Sequence, residues 1–144
     1  MESDAAMTDG GSVESEALRI LVVEDSPIVG ERLLTLLRTM PRALELTHAE
    51  NMRMAEDFFT KTKPDAVVLD ISLPDGSGFD LLRLFKDRRP ECMVIILTSY
   101  AFPEFRQNSE KLGADYFFGK GLEIGKVVEV LRGFNPPRTR KVDR

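Results

Sequence analysis

Five short apolar runs, each followed by a stretch in which apolar residues recur at three and four, constrain this chain more than any other feature. The runs are Arg19 to Val23, Leu44 to His48, Ala66 to Leu69, Cys92 to Leu97 and Tyr116 to Phe118. They are too short for helices and lack the helical period, so they read as buried parallel strands. Ile28, Val29, Leu33, Leu34, Leu36, Leu37 and Met40 form the first helical stripe, opened by Ser26 as a cap with Pro27 in the first turn, and stopped by Pro41. Asn51 opens a second helix with Met52, Ala55, Phe58 and Phe59 inward, closed by Pro64. A third begins near Gly78, with Phe79, Leu81, Leu82 and Phe85 inward and Arg83, Lys86, Arg88 and Arg89 outward. The fourth, Glu104 to Leu112, has little beyond Phe105 and Leu112 to bury and should be the least firmly held. Ile124, Val127, Val128 and Leu131 make the fifth. Such strict alternation predicts an α/β fold, a doubly wound parallel sheet with right-handed crossovers and helices on both faces.

The length of 144 residues suits one domain with tails. Residues 1–17 are small, polar and acidic and read as a disordered tail, residues 18–133 as the folded domain, and residues 134–144 as a basic tail or the start of a linker at Asn135-Pro136-Pro137. A net charge of -4 argues against direct nucleic-acid binding, which needs a basic surface. The single Cys92 lies within an apolar strand and reads as a buried thiol suited to a reducing cytoplasm. No apolar run approaches the roughly 20 residues that span a bilayer, and none reads as a signal peptide.

The strand ends carry the chemistry. Glu24 and Asp25 follow the first strand, Asp70 the third, Thr98 ends the fourth and Lys120 follows the fifth. Parallel strands present all their carboxyl ends at one edge, where open α/β sheets bind ligands. Two carboxylates about 6 Å apart at an effective dielectric near 20 repel by on the order of 3 kcal/mol, a cost that a cation among them removes. Hard oxygen donors without His or Cys point to magnesium. Asp70 is then a candidate nucleophile for a phosphoryl group whose oxygens the metal and Lys120 neutralise and the Thr98 hydroxyl hydrogen-bonds. Singly, Glu24-Asp25 could serve a helix dipole and Lys120 could be a surface lysine; it is the combination that carries weight. His48, alone in the chain, reads as a strand residue.

As a set, Glu24-Asp25, Asp70, Thr98-Ser99 and Lys120 resemble the motifs of the receiver domain of two-component response regulators, a likeness covering about Leu18 to Gly133. The resemblance implies a flavodoxin-like (βα)5 sheet in the order 2-1-3-4-5. It further implies that Asp70 accepts a phosphoryl group from a phosphohistidine on a sensor histidine kinase or a histidine phosphotransfer protein. Mg2+ would be held by Asp25, Asp70 and the Ser72 backbone carbonyl, with Glu24 acting through water. Thr98 would move toward the phosphoryl oxygens while Phe117, the aligned aromatic, rotates inward. The last two helices with the fifth strand, presenting Phe102, Phe105 and Phe117, would form the output face toward a downstream protein. The chain would be a signalling phosphoacceptor rather than an enzyme, and with no output segment after Gly133 it would act by protein contact or in a relay.

Two positions depart from the family. Gly121 stands where a proline with a cis bond usually follows the lysine, so the Lys120-Gly121 link is predicted to be trans or more mobile. Tyr100 and Ser72 occupy the positions that tune hydrolysis, and a bulky Tyr100 should shield the acyl phosphate from water. A haloacid dehalogenase-type phosphatase would need a second carboxylate where this chain has Ser72, and a flavin mononucleotide carrier would not place Glu24-Asp25 against a phosphate. The alternative is a phosphorylation-independent interaction module on the same fold, motivated by Gly121 and Phe117.

Overall fold

The computed structural model describes residues 17–137. The tail expected over residues 1–17 lies outside it except for Ala17, as do residues 138–144 of the basic segment. The elements are β1 (Leu18–Val23), α1 (Pro27–Leu37), β2 (Leu44–Ala49), α2 (Met52–Thr62), β3 (Ala66–Leu69), β4 (Ser72–Leu73), β5 (Gly76–Ser77), α3 (Gly78–Arg88), β6 (Met93–Thr98), α4 (Pro103–Lys111), β7 (Tyr116–Gly119) and α5 (Ile124–Arg132). The main sheet is parallel in the order β2-β1-β3-β6-β7. Counting only its own strands, that is the predicted 2-1-3-4-5, the flavodoxin-like arrangement.

Strand alternation divides the core into two layers. Leu21, Val23, Val67, Leu69, Val94 and Ile96 point to the face covered by α2, α3 and α4, where Phe59 stacks on Phe85 at 4.0 Å. Ile20, Val22, Val68, Ile95 and Leu97 point to the other face, filled by Leu33 and Leu37 of α1 and Val127, Val128 and Leu131 of α5. Among the described residues no helix is long and apolar enough to cross a membrane. Cys92 is fully buried, and loss of solvation pushes its thiol up to about 12 from 9.0. A thiol reagent near pH 8 should therefore modify the native protein about 10^3-fold more slowly than the urea-unfolded chain. Equal rates in a stopped-flow assay would contradict this burial.

The helix caps follow the sequence. Ser26 Oγ accepts from the Val29 N–H at 3.2 Å, and Asn51 Oδ1 from the Met54 N–H at 2.8 Å. Four details differ from expectation. First, α1 ends at Leu37, ahead of Pro41, because its last turn tightens through Thr39 N–H to Leu36 O and Met40 N–H to Leu37 O, leaving Met40 buried but outside the helix. Second, Ile28 is 82% exposed, on the solvent side of an α1 first turn whose buried contact is made by Gly30 against His48. Third, Lys86 and Arg89 do not point freely outward. Lys86 Nζ donates to Cys92 O at 2.7 Å and pairs with Asp115 at 2.9 Å, and Arg89 donates to Pro64 O at 2.7 Å, so both tie helix ends to strand starts. Fourth, Ser72 to Ser77 closes as a two-residue antiparallel hairpin, β4 with β5, directly after Asp70.

Candidate functional site

The β1–β3 and β3–β6 ladders bring the strand ends level, and each contributes one functional group. The Glu24 N–H donates to Ala49 O at 2.9 Å and the Asp70 N–H to Val23 O at 3.1 Å, so both acids stand one residue past the sheet, held by its last hydrogen bonds. Glu24 and Asp70 are buried, at 4% and 5% exposure, while Asp25 faces solvent. Each of the three offers one carboxylate oxygen, and these lie within 4.8 Å of one another. Oxygen-only donors at that spacing, two of them shielded from water, fit a hard divalent cation.

Lys120 enters from β7 and bridges the acids. Its Nζ is 2.6 Å from Glu24 Oε1 and 2.8 Å from Asp70 Oδ2. Burial works against the charged ammonium, but the hydrogen bonds to Asp70 and Glu24 outweigh it and hold the Lys120 pKa above its ordinary range. For Glu24, burial is the dominant influence and pushes the carboxyl up, against the opposing bonds from Lys120 and the Ser26 N–H. Partly buried charges of this kind are costly unless paired, and here every one is paired.

Thr98 ends β6, fully buried, with its Oγ1 accepting from the Tyr100 N–H at 3.1 Å. The Lys120 N–H donates to Thr98 O at 2.9 Å, which sets the two predicted phosphate-contacting residues on adjacent strand ends. Ser72 stays beside Asp70 through its N–H to Asp70 Oδ1 at 3.3 Å, its side chain in solvent. Phe117 is 5% exposed in the α2–α3–α4 layer, and the Arg106 guanidinium sits over its ring at 4.7 Å. Tyr100 follows Thr98 by two residues and is 47% exposed, its ring 6.4 Å from that of Phe102. The Lys120-Gly121 bond is trans, as expected, since there is no cis peptide among the described residues.

Several supporting residues carry no sequence signal of their own. His48 Nε2 lies 2.8 Å from Glu24 O, and because a carbonyl only accepts, this nitrogen carries the proton. Its ring fills the space a side chain at Gly30 would need. Asp75, at the tip of the β4–β5 hairpin, accepts from the Met52 N–H at 2.8 Å and the Arg53 N–H at 3.3 Å, anchoring the segment after Asp70 to the start of α2. Its partners lie on another element, 22 and 23 residues away in sequence.

The Met52 N–H, chiefly, holds the Asp75 carboxyl below its ordinary 3.8. A depressed folded value means the stability it adds is present above that ordinary value and is lost as pH falls through the folded one. Asp75→Asn is therefore expected to melt below wild type at neutral pH, the gap closing in acid. A gap independent of pH in thermal melts would rule out the charge as its source.

Residues 20–132 match the family described as the response regulator receiver domain. Sporulation initiation phosphotransferase F of Bacillus subtilis is 30% identical over 118 residues, covering 82% of this chain and 94% of that protein. Response regulator protein PilR of Pseudomonas aeruginosa is 30% identical over 113 residues, 78% of this chain but 25% of PilR. The chain spans 53% and 50% of two further curated regulators it matches. A solved structure, the BeF3 activated DrrB receiver domain, superposes with a TM-score of 0.68 at 26% identity, covering 89% of this chain and 99% of that one. With its sheet order, its acidic strand ends and a match across nearly the whole described chain, the protein belongs to the response regulator receiver domain family.

Proposed function

We propose that residues 18–133 act as a phosphoacceptor in which Asp70 takes a phosphoryl group from a phosphohistidine on a sensor histidine kinase or histidine phosphotransfer protein. The carrying observation is the cluster itself: Asp70, Glu24 and Asp25 with oxygens within 4.8 Å, and Lys120 bridging two of them. Mg2+ is the cation these donors suit; Asp25, Asp70 and the Ser72 carbonyl would hold it, with Glu24 acting through water. When bound, it would neutralise phosphoryl oxygens.

In the transfer, a carboxylate oxygen of Asp70 forms a bond to phosphorus as the P–N bond to the donor histidine breaks. The bonding pair leaves with the imidazole nitrogen, which takes a proton. Lys120 is already at Asp70 Oδ2 and can pass to a phosphoryl oxygen, and Thr98 offers its hydroxyl once it turns from the Tyr100 N–H. Phe117 is already buried in the α2–α3–α4 layer rather than presented on the surface, so the expected inward rotation gives way to repacking in place when Thr98 moves. Lacking a hydroxyl, Phe117 reports through packing and through Arg106, which also donates to its carbonyl at 3.2 Å. The face that would respond is α4 with β7 and α5, where Phe102 is 52% exposed and meets a downstream protein. The free, buried Cys92 suits a reducing cytoplasm.

The test is intact-mass analysis after incubation with acetyl phosphate and Mg2+, with the modified residue mapped. One phosphoryl group on Asp70, absent in chelator, is the expected result. A wild type that refuses the label under donor and metal excess would favour the phosphorylation-independent module instead. Tyr100→Ala is expected to shorten the lifetime of the phosphorylated state several-fold, read as decay of the labelled mass. An unchanged or longer lifetime would remove Tyr100 from that role.

A further inference from the structure

β7 is the outer strand of the sheet, so its polar groups facing away from β6 have no strand to meet. The Lys120 N–H points to Thr98 O in β6 at 2.9 Å, and by alternation the Gly119 N–H points outward. There it donates to Glu123 Oε1 at 2.8 Å, while the Glu123 N–H returns to Gly119 O at 3.0 Å. Both backbone groups of Gly119 are thus bound by one residue, and Lys120 sits inside the closed loop. Lys126 Nζ holds the other oxygen, Oε2, at 3.2 Å.

Glu123 occupies the N-cap position of α5, yet its side chain makes no cap bond to the helix. Its carboxylate is turned back to the strand instead, forgoing the usual stabilisation of a cap. The Gly119 N–H, with Lys126, keeps this carboxyl below its ordinary range. The rest of the loop supplies little restraint. Nothing lies within 4 Å of where a Gly121 side chain would be, Leu122 is 98% exposed, and no cis bond fixes the turn. Glu123 and Lys126 line the same cleft, about 470 Å³, as Thr98 and Lys120.

We propose that Glu123 is a positioning residue for Lys120, fixing the β7–α5 loop through Gly119 where the chain has Gly121 and no ring to stiffen it. The assignment rests on the phosphoacceptor reading for its consequence, that a misplaced Lys120 slows transfer to Asp70. A loose ammonium still reaches the carboxylates, but spends less time where a transferring phosphoryl group needs it.

Three measurements on wild type, Glu123→Ala and Glu123→Gln test it: the rate of phosphoryl uptake from acetyl phosphate with Mg2+, hydrogen exchange of the Lys120 amide by NMR, and the melting temperature. In Glu123→Ala, uptake should fall about tenfold and Lys120 exchange should quicken about tenfold, with melting little changed. Glu123→Gln keeps an oxygen for the Gly119 N–H and should stay within about twofold of wild type in both. Wild-type uptake and exchange in Glu123→Ala overturn the assignment, as does a Gln variant as impaired as the Ala variant. If wild type itself takes up no label, the phosphoacceptor reading fails, and Lys120 exchange alone then decides for or against Glu123.

Discussion

Asp70→Asn is expected to take up no measurable phosphoryl group, a loss on the order of 10^3-fold or more, while remaining folded. The amide oxygen is a far weaker nucleophile than a carboxylate, and no other carboxylate shares the position of Asp70 at the end of β3. Asp25 is exposed, and Glu24 is committed to Lys120 at 2.6 Å and the Ser26 N–H at 3.0 Å. The fold should survive because the substitution removes a charge from a crowded acidic group. The Asp70 charge is one of the influences raising the Glu24 carboxyl, and Lys120 keeps Glu24 as partner when it goes. In chelator the variant should melt no lower than wild type, and Mg2+ should raise its melting temperature less. Labelling of the Asn variant at the wild-type rate would remove Asp70 from the chemistry; unfolding would show that the Lys120 pairing outweighs the repulsion.

Gly78→Ala is expected to cost about 3 kcal/mol or more in urea unfolding, a large share of a domain's stability. Gly78 begins α3 beneath the Asp70 strand end, and its N–H donates to Ile71 O at 2.6 Å. A Cβ there would fall onto the Asp70 carbonyl oxygen and come within 2.8 Å of Ile71 Cα. Those atoms are backbone, so no side chain can swing aside. The helix would have to move off the strand end, breaking the bond to Ile71 and displacing Asp70, so labelling of the folded fraction should fall too. Gly121→Ala and Gly125→Ala, which meet nothing within 4 Å, should stay within about 0.5 kcal/mol of wild type. Similar losses at all three glycines would mean that backbone freedom, not close approach, is at stake.

The stripes of α2, α3 and α5 were legible because a helix buried on one side must repeat its apolar residues, and Ala55, Phe59, Leu81, Leu82, Phe85, Val127 and Leu131 are buried as that period requires. Ile28 fits the same period yet lies in solvent, since period says which way a residue faces but not whether anything is there to face. Lys86 and Arg89 read as solvated charges because carbonyl partners such as Cys92 O and Pro64 O lie on other elements and carry no residue-type signature. The β4–β5 hairpin has strands of two residues, too short to show any alternation. His48 and Glu123 escaped for the same reason: each acts on a backbone group, and any residue could have supplied it.

The order of residues alone decided that five apolar strands would alternate with helices, and hence that Glu24, Asp25, Asp70, Thr98 and Lys120 would share the carboxyl edge of one sheet, because parallel strands leave no other place for their ends. Tertiary packing decided the rest. It buried Glu24 and Asp70 but not Asp25, drew Lys120 between them, turned Glu123 back onto Gly119 and left Tyr100 about half exposed. Periodicity is a property of neighbours along the chain, whereas burial and ion pairing depend on distances between elements, which exist only once the sheet has closed under its helices.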